Sequence, residues 1–492
     1  MHHHDDDASS TPGGVPGRLR TSVIAPRRGW PAAAAGRVAH LEGGHLYLGT
    51  TRQVAGLYPW LQPGSLPLGG VPIGPDLLTR EMVTVDLPGW VGHLTGNPGA
   101  WIQGQPGSGK SALVKRLCLG MVAYGYAMVV PGDVKGEYTP LVHALGGQVL
   151  RIGRGLDRVN PLDSGPLGRH LASLPAAERS RLASEVNGRR AELLAALLAT
   201  SHGLGRRPAA AEATALNTAI RLAADALDQD PTVPDILRLL RDPPADLYDR
   251  LLIRDPDAYL TEIRPVVAAL ENLCEGPLSG LFDGPTSTPL DLDAPAVSVD
   301  LSAILTSGDS VVAAALLATW AYSYNAIDSA RAFDATRAPV VLPLDELWRV
   351  LRAGPGMVAA MDAITRLNRA KGEVSLMITH SLRDLEALPD VADRAMAAGL
   401  MERCDTLLLS ALPPSELARI SEQRPLTDAE RHLVASWAAP ASTGLDGANI
   451  THAGRGKYLL KIGQRIGVPV RLHLTPEEKA LYDTDAAIRG AR

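Results

Sequence analysis

A glycine-rich segment has the residue types and the spacing of a phosphate-binding loop. It reads Gly104-Gln105-Pro106-Gly107-Ser108-Gly109-Lys110-Ser111, which matches the pattern G-x(4)-G-K-[ST]. The glycines let successive backbone N–H groups converge on one phosphate. Lys110 would then reach the β- and γ-phosphates, and the Ser111 hydroxyl would bind Mg²⁺. The sequence therefore predicts a site for a nucleoside triphosphate, taken as ATP, together with Mg²⁺.

An acidic pair follows an apolar segment much later in the chain. Residues 340–344 read as a buried strand, and Asp345 and Glu346 come directly after it. Asp345 is predicted to lie beside the Mg²⁺ held by Ser111, and Glu346 to orient or deprotonate the attacking water. An ordinary acidic turn after a strand would have the same composition. The phosphate-binding loop upstream favours the catalytic interpretation.

Two further catalytic candidates are less specific. His380 ends the next predicted strand, where it could contact the γ-phosphate, and a solvent-exposed histidine at a strand end is the alternative. Arg369 lies on the helix predicted at residues 357–370 and could reach the nucleotide of a neighbouring subunit, with Arg366 as the second choice. A solvated basic helix face, extending to Lys371, is the commoner use of such residues.

A polar loop follows the second predicted strand at residues 127–130. It contains Asp133, Lys135 and Glu137 and lies outside the carboxyl end of a strand, where ligands bind in open parallel sheets. These side chains could hold water or Mg²⁺ beyond its direct ligands, or couple hydrolysis to motion. A plain surface turn is equally compatible with the pattern.

The order of predicted elements indicates an α/β fold. Apolar strands alternate with helices before residue 164 and after residue 296, whereas the stretch between shows helical spacing without a convincing strand. We therefore predict a doubly wound α/β core with an all-α insertion. The predicted division is a disordered leader at 1–38, a short β-rich segment at 39–95, a discontinuous ATPase core at 96–163 and 291–492, and an inserted all-α domain at 164–290.

Composition limits the classes of partner and compartment. The net charge of −5 gives no global basic field that would indicate nucleic acid. The three cysteines are far apart and lack C-x-x-C spacing, as expected for reduced thiols. The amino-terminal residues lack the apolar region of a signal peptide, and the longest apolar run, residues 311–322, is too short for a bilayer. We expect a cytoplasmic protein with a buried helix at that run, reaching the inner face of the cell membrane only through partners.

Several motifs in order resemble the conjugation ATPase family of type IV secretion systems, the TraC/TrbE class within the HerA/FtsK group of RecA-like P-loop motors. The motifs are Gly104–Ser111, Asp133–Tyr138, Leu145-Gly146-Gly147 with Asn160-Pro161, Gly280–Pro285, Leu344–Trp348 and, less closely, Thr379-His380-Ser381 with Asp384. The resemblance covers residue 95 to the carboxyl terminus. It implies a RecA-like P-loop NTPase core with an inserted all-α domain, hydrolysis of ATP to ADP and phosphate, a hexamer with catalysis at subunit interfaces, and partners in a secretion or conjugation apparatus at the inner membrane.

Two departures from the family pattern leave alternatives open. His380 stands where the family usually has Gln. Members usually carry a long amino-terminal domain that docks to the membrane complex, whereas about 95 residues precede the core here, so we expect that docking function to be missing or supplied by another protein. One alternative is a HerA/FtsK-type DNA-translocating ATPase, with the Arg-rich stretches 151–158 and 189–190 lining a channel. The other is a nucleotide-binding scaffold that regulates assembly without rapid turnover.

Overall fold

The computed structural model describes residues 69–482 except 167, 169–173, 228, 334–336, 353–357, 359–371, 387, 389–390, 441, 444–449 and 452. The chain divides into two units, Met1–Gly64 and Ser65–Arg492, and every described residue belongs to the second. The predicted leader, most of the β-rich segment at 39–95, and the candidates Arg366, Arg369 and Lys371 lie outside the described residues.

A nine-stranded sheet forms the centre of the fold, in the order β13-β12-β9-β3-β8-β7-β4-β6-β5. The strands of the described residues are β1 (Val71–Pro75), β2 (Met82–Val85), β3 (Ala100–Gln103), β4 (Ala127–Asp133), β5 (Gln148–Arg151), β6 (Ala296–Asp300), β7 (Val340–Leu344), β8 (Val374–Thr379), β9 (Thr406–Leu409), β10 (Ser442–Thr443), β11 (Ile450–Thr451), β12 (Lys457–Ile462) and β13 (Val468–Arg471). The seven strands from β9 to β5 pair in parallel. Strands β12 and β13 add an antiparallel edge to this sheet.

The central strands are apolar because helices cover both faces of the sheet. Every residue of β3, β4, β7 and β8 is buried. Parallel strands buried on both faces are expected to be continuously hydrophobic, as these are. The doubly wound α/β core is therefore confirmed.

Helices occupy both faces of the sheet and one long connection. Those of the described residues are α1 (Lys110–Ala123), α2 (Thr139–Ala144), α3 (Ala176–Ala199), α4 (Ala210–Ala226), α5 (Val233–Arg241), α6 (Ala245–Leu251), α7 (Pro256–Glu275), α8 (Asp309–Phe333), α9 (Leu347–Leu351), α10 (Arg383–Glu386), α11 (Val391–Glu402), α12 (Pro414–Gln423), α13 (Asp428–Trp437) and α14 (Pro476–Leu481), with a 3₁₀ helix at Ser302–Ser307. Helices α3 to α7 fall between β5 and β6, at the place of the predicted all-α insertion. They share one hydrophobic core with α8 and one face of the sheet.

Helix α8 is the buried helix predicted from the apolar run at 311–322. Its segment Asp309–Arg331 is the one helix of the described residues that is long and apolar enough to cross a membrane, and 89% of its most apolar window is buried inside the fold. A core helix of a globular domain has the same properties, so length and composition do not assign this helix to a membrane.

The opposite face of the sheet packs against α1, the β1–β2 hairpin and α14. Helix α1 approaches β1 closely, since a Cβ on Gly120 would lie 2.4 Å from a methyl carbon of Val71. The carboxyl ends of β3, β8, β7 and β4 meet at one edge because these strands are parallel neighbours. That edge is the place where the residues predicted from the sequence can converge.

Candidate functional site

The glycines of the phosphate-binding loop have conformations that other residues rarely adopt. Gly107 has a φ of 76° and Gly109 a φ of 100°. Gly104 is required for a different reason, since a Cβ there would lie 2.7 Å from Cβ of Ser410. Helix α1 begins immediately after Gly109, so its first backbone N–H groups face the space enclosed by the loop.

Lys110 is held inside the loop by three acceptors. Its Nζ donates to the carbonyl oxygens of Gly104 at 2.8 Å and Gln105 at 3.1 Å, and lies 2.9 Å from Nδ1 of His380. An ammonium has three N–H donors, so these contacts use all of them. Burial lowers the pKa of Lys110 to about 8, against the opposing charge of Asp345. A bound phosphate would replace these acceptors with stronger, charged ones.

The loop is braced by distant parts of the chain. The backbone N–H of Gly456 donates to the Ser108 carbonyl at 2.9 Å, and the Tyr458 hydroxyl donates to the Gly109 carbonyl at 2.7 Å. On the other side, Gln105 N donates to the carbonyl of Ala411. Sequence reasoning missed this support because no motif marks Tyr458 or Ala411.

Asp345 and Glu346 follow β7 at the same edge. Asp345 Oδ1 accepts the backbone N–H of Glu346 at 2.9 Å, and its Oδ2 lies 3.5 Å from the hydroxyl of Tyr138, which donates to it. Burial and then the charge of Glu346 raise the pKa of Asp345 to about 6. Glu346 has a φ of 54°, an uncommon conformation for a residue with a side chain.

Both carboxylate oxygens of Glu346 have partners. Lys135 Nζ lies 2.6 Å from Oε1, and Nε1 of Trp348 donates to Oε2 at 2.6 Å, with Arg349 Nε 3.7 Å from the same oxygen. Burial opposes ionisation of Glu346, but the hydrogen bond and charge of Lys135 outweigh it and hold the pKa below its usual value. Lys135 therefore has a specific role at the site, beyond that of a surface turn.

Asp133 shapes the loop that carries Lys135. Its carboxylate accepts the backbone N–H groups of Glu137 at 3.0 Å and Tyr138 at 2.7 Å. Burial raises the pKa of Asp133 to about 6, although these two hydrogen bonds oppose the shift. Asp133 is therefore engaged with its own loop, and Lys135 is the loop's charged side chain in contact with Glu346.

His380 lies at the site, as the strand order requires. It is half-buried at the end of β8, and its Nδ1 faces the Lys110 ammonium. Because the ammonium can only donate, Nδ1 must accept, which assigns the remaining proton to Nε2. Burial, and then the charge of Lys110, lower the pKa of His380.

A buried carboxylate on α12 positions the segment that follows His380. Glu416 accepts hydrogen bonds from the Ser381 hydroxyl at 2.8 Å, the Leu382 N–H at 2.9 Å and Gln103 Nε2 at 3.0 Å. It therefore ties the end of β3, immediately before the phosphate-binding loop, to the end of β8. Sequence reasoning missed Glu416, since an acidic residue in the first turn of a helix is ordinary.

The residues present fit a nucleotide with Mg²⁺. Ser111 and Asp345 offer hard oxygen donors, which Mg²⁺ prefers, and Mg²⁺ normally takes only one or two protein ligands beside phosphates and water. Ser108 Oγ is among the buried polar atoms of the described residues that have no hydrogen-bond partner, and it lies in the loop, where a phosphate oxygen would accept its proton. The same part holds no group of three or more His, Cys, Asp and Glu residues that could bind a metal without phosphate.

The fold and this loop define a RecA-like P-loop NTPase fold, and one solved structure confirms this fold. The structure of VirB4 of Thermoanaerobacter pseudethanolicus is similar to this chain with a TM-score of 0.63 and 20% sequence identity, over 84% of this chain and 98% of that one. The plasmid coupling protein TrwB in complex with the ATP analogue ADPNP gives a TM-score of 0.48 and 15% identity, over 84% of this chain and 96% of that one.

The fold predicted through the resemblance to conjugation ATPases is thus confirmed. No protein-family model matches the chain, and no curated protein sequence is similar to it.

Proposed function

We propose that this chain is an ATP-hydrolysing motor of a conjugative or type IV secretion-like system, which energises assembly of the apparatus or transfer of its substrate. One observation carries the proposal: the phosphate-binding Lys110, the acidic pair and His380 converge at one edge of the sheet. The likeness to VirB4 over nearly the whole of that chain supports the same class of motor.

Each residue of the site has a separate role in hydrolysis. Lys110 and the N–H groups of the loop bind the β- and γ-phosphates, and His380 lies where it can contact the γ-phosphate. Ser111 and Asp345 would hold Mg²⁺, which neutralises phosphate charge when it is bound with the nucleotide. Glu346 orients or deprotonates the attacking water.

The active assembly in this proposal is a hexamer in which neighbouring subunits complete each site, with Arg369 supplied in trans. Partners would be apparatus proteins at the inner membrane, and the chain would lie on the cytoplasmic side.

The Arg-rich stretches give the DNA-translocation alternative no specific support, because their side chains bond within the chain. Arg154 donates to the carbonyls of Gly276 and Pro277, and Arg190 forms a buried pair with Asp230.

The test is the ATPase rate per subunit as a function of protein concentration, with and without double-stranded DNA. We expect the rate to rise with concentration as sites are completed between subunits, and to be independent of DNA. Lys110→Ala should abolish turnover, and Glu346→Gln should bind ATP but lower turnover by about 100-fold or more. Strong stimulation by DNA would favour the DNA pump, and the absence of turnover would favour the scaffold. Normal turnover in Glu346→Gln would contradict the mechanism.

A further inference from the structure

Glu346 is engaged in a way that conflicts with its proposed task. A carboxylate that activates water needs an oxygen directed at that water. Here one oxygen faces Lys135 Nζ and the other accepts from Trp348 Nε1, both at 2.6 Å, and the side chain is only 6% exposed. Each oxygen of Glu346 is therefore already engaged, and an attacking water would have to compete with Lys135 and Trp348 for the carboxylate.

The partner that can leave is Lys135. Its side chain is 45% exposed, whereas that of Glu346 is buried. The backbone of its loop is fixed by the two hydrogen bonds to Asp133, so the ammonium can move while its base stays in place. Lys135 is also close enough to Lys110 for the two positive charges to influence each other.

A triphosphate would compete with Glu346 for the Lys135 ammonium. The carboxylate carries one negative charge and the phosphate chain several, so the phosphates can draw the Lys135 ammonium away where their charge exceeds what Lys110 and Mg²⁺ neutralise. The unusual backbone of Glu346, with a φ of 54°, is a conformation that persists only where surrounding contacts hold it. Loss of the Lys135 contact removes one of the contacts that hold it.

We propose that Lys135 is a positioning residue that keeps Glu346 bound to Trp348 until a triphosphate arrives. The triphosphate then draws the Lys135 ammonium to itself, and Glu346 is released to act on water. The proposal rests on the proposed function of this site. It adds that Glu346 cannot activate water until a triphosphate is bound.

Trp348 provides a direct readout that does not require turnover. The signal is the difference in tryptophan emission between the full chain and the same chain with Trp348→Phe. We expect a non-hydrolysable ATP analogue with Mg²⁺ to change this signal, because Glu346 leaves Nε1 of Trp348. In Lys135→Met the signal without nucleotide should already equal that of the nucleotide-bound wild type, and the analogue should change it no further.

Steady-state kinetics give the second readout. We expect Lys135→Met to raise KM, because a phosphate contact is lost, and not to raise kcat, because bound triphosphate has already freed Glu346 in the wild type. Lys135→Arg keeps the charge and should retain the wild-type emission response. Lys479→Met makes the same chemical change at an exposed position on α14, and it should alter neither the emission response nor the kinetic constants. Lys135→Gln is a second neutral variant if Lys135→Met folds poorly.

The outcomes separate this proposal from the proposed function. The proposal fails if both neutral variants fold and keep the wild-type emission response. It also fails if they lower kcat without changing the emission. In either case Lys135 does not restrain Glu346, even though the protein is a working ATPase. If no form hydrolyses ATP but the emission change depends on Lys135, the release of Glu346 stands and the proposed function fails.

Discussion

Among single residues, His380 distinguishes this site most from the family that its motifs resemble, because that family usually has glutamine at this position. A glutamine there would be neutral at every pH, whereas an imidazole can gain a proton near neutrality. Burial and the adjacent Lys110 ammonium both favour the neutral form and lower the pKa of His380. A bound triphosphate adds negative charge beside the ring and therefore raises that pKa again.

This shift predicts a pH-dependent affinity for nucleotide. Between the lower pKa of His380 without nucleotide and its higher pKa with nucleotide bound, binding takes up a proton, so affinity rises as the pH falls. One proton limits the slope to about tenfold per pH unit. The measurement is the dissociation constant of a fluorescent ATP analogue between about pH 6 and pH 8, in the region where histidine titrates.

His380→Gln is the matched control for this prediction, since it removes the titrating ring and leaves the ionisation of the ligand itself unchanged. We expect the wild type to gain more affinity on acidification than His380→Gln does. Parallel curves for the two proteins would show that His380 does not sense the phosphate.

At the scale of elements, α12 links the two strand ends on either side of the phosphate-binding loop through Glu416. Glu416 is 4% exposed, and its carboxylate accepts four hydrogen bonds, from Gln103, Ser381, Leu382 and Arg419. An amide in its place keeps only one accepting oxygen and directs N–H groups at groups that also donate. A buried donor left without its partner costs about 1–3 kcal/mol.

Glu416→Gln should therefore lower both stability and catalysis. We expect a loss of about 1–3 kcal/mol in the free energy of unfolding, and a fall in kcat because the segment after β8 moves away from Lys110. Denaturant unfolding and ATPase assays measure the two effects. Glu422→Gln, at an exposed position on the same helix, is the control. Equal stability of the two variants would show that Glu416 is not the link between these strands.

The sequence predicted the elements that carry their own local signal. Strands β3, β7 and β8 are continuous apolar segments, and each leads into a polar motif, so both the strand and its site residues were recognisable. The stretch between β5 and β6 was predicted to be helical because its apolar residues recur at helical spacing, and the helices α3 to α7 lie there.

Contacts between distant segments could not be predicted in this way. Lys135 meets Glu346 because β4 lies beside β7 in the sheet, and Tyr458 meets Gly109 because only β9 separates β12 from β3, which leads into the loop. Strand order is set by packing of the whole sheet, which leaves no mark in the periodicity of any one strand. The phosphate-binding loop was therefore recognisable, while the residues that brace it and restrain Glu346 were not.

At the scale of the whole molecule, two hydrophobic cores lie on opposite faces of one sheet. One face is covered by α8 and the helices α3 to α7, and the other by α1, α14 and the β1–β2 hairpin. Segments from both ends of the described chain therefore support the helix that follows the phosphate-binding loop. The described nucleotide edge contains Lys110, Asp345, Glu346 and His380, but the arginine predicted to act in trans, Arg369, lies outside the described residues.

A site shared between subunits can be tested by mixing two inactive proteins. Lys110→Ala removes the phosphate-binding lysine, and Arg369→Ala removes the candidate arginine, so each should have little activity alone. In a mixed ring, an Arg369→Ala subunit supplies Lys110 and its Lys110→Ala neighbour supplies Arg369. With equal amounts and random assembly, about one interface in four is complete, so we expect about a quarter of the wild-type rate if interfaces act independently. The measurement is the ATPase rate of the co-refolded or co-expressed mixture.

Arg366→Ala in place of Arg369→Ala is the matched comparison, because it changes the same residue type on the same predicted helix. If the mixture of Lys110→Ala with Arg366→Ala recovers activity and the mixture with Arg369→Ala does not, the role belongs to Arg366. No recovery with either would place the complete site within one subunit.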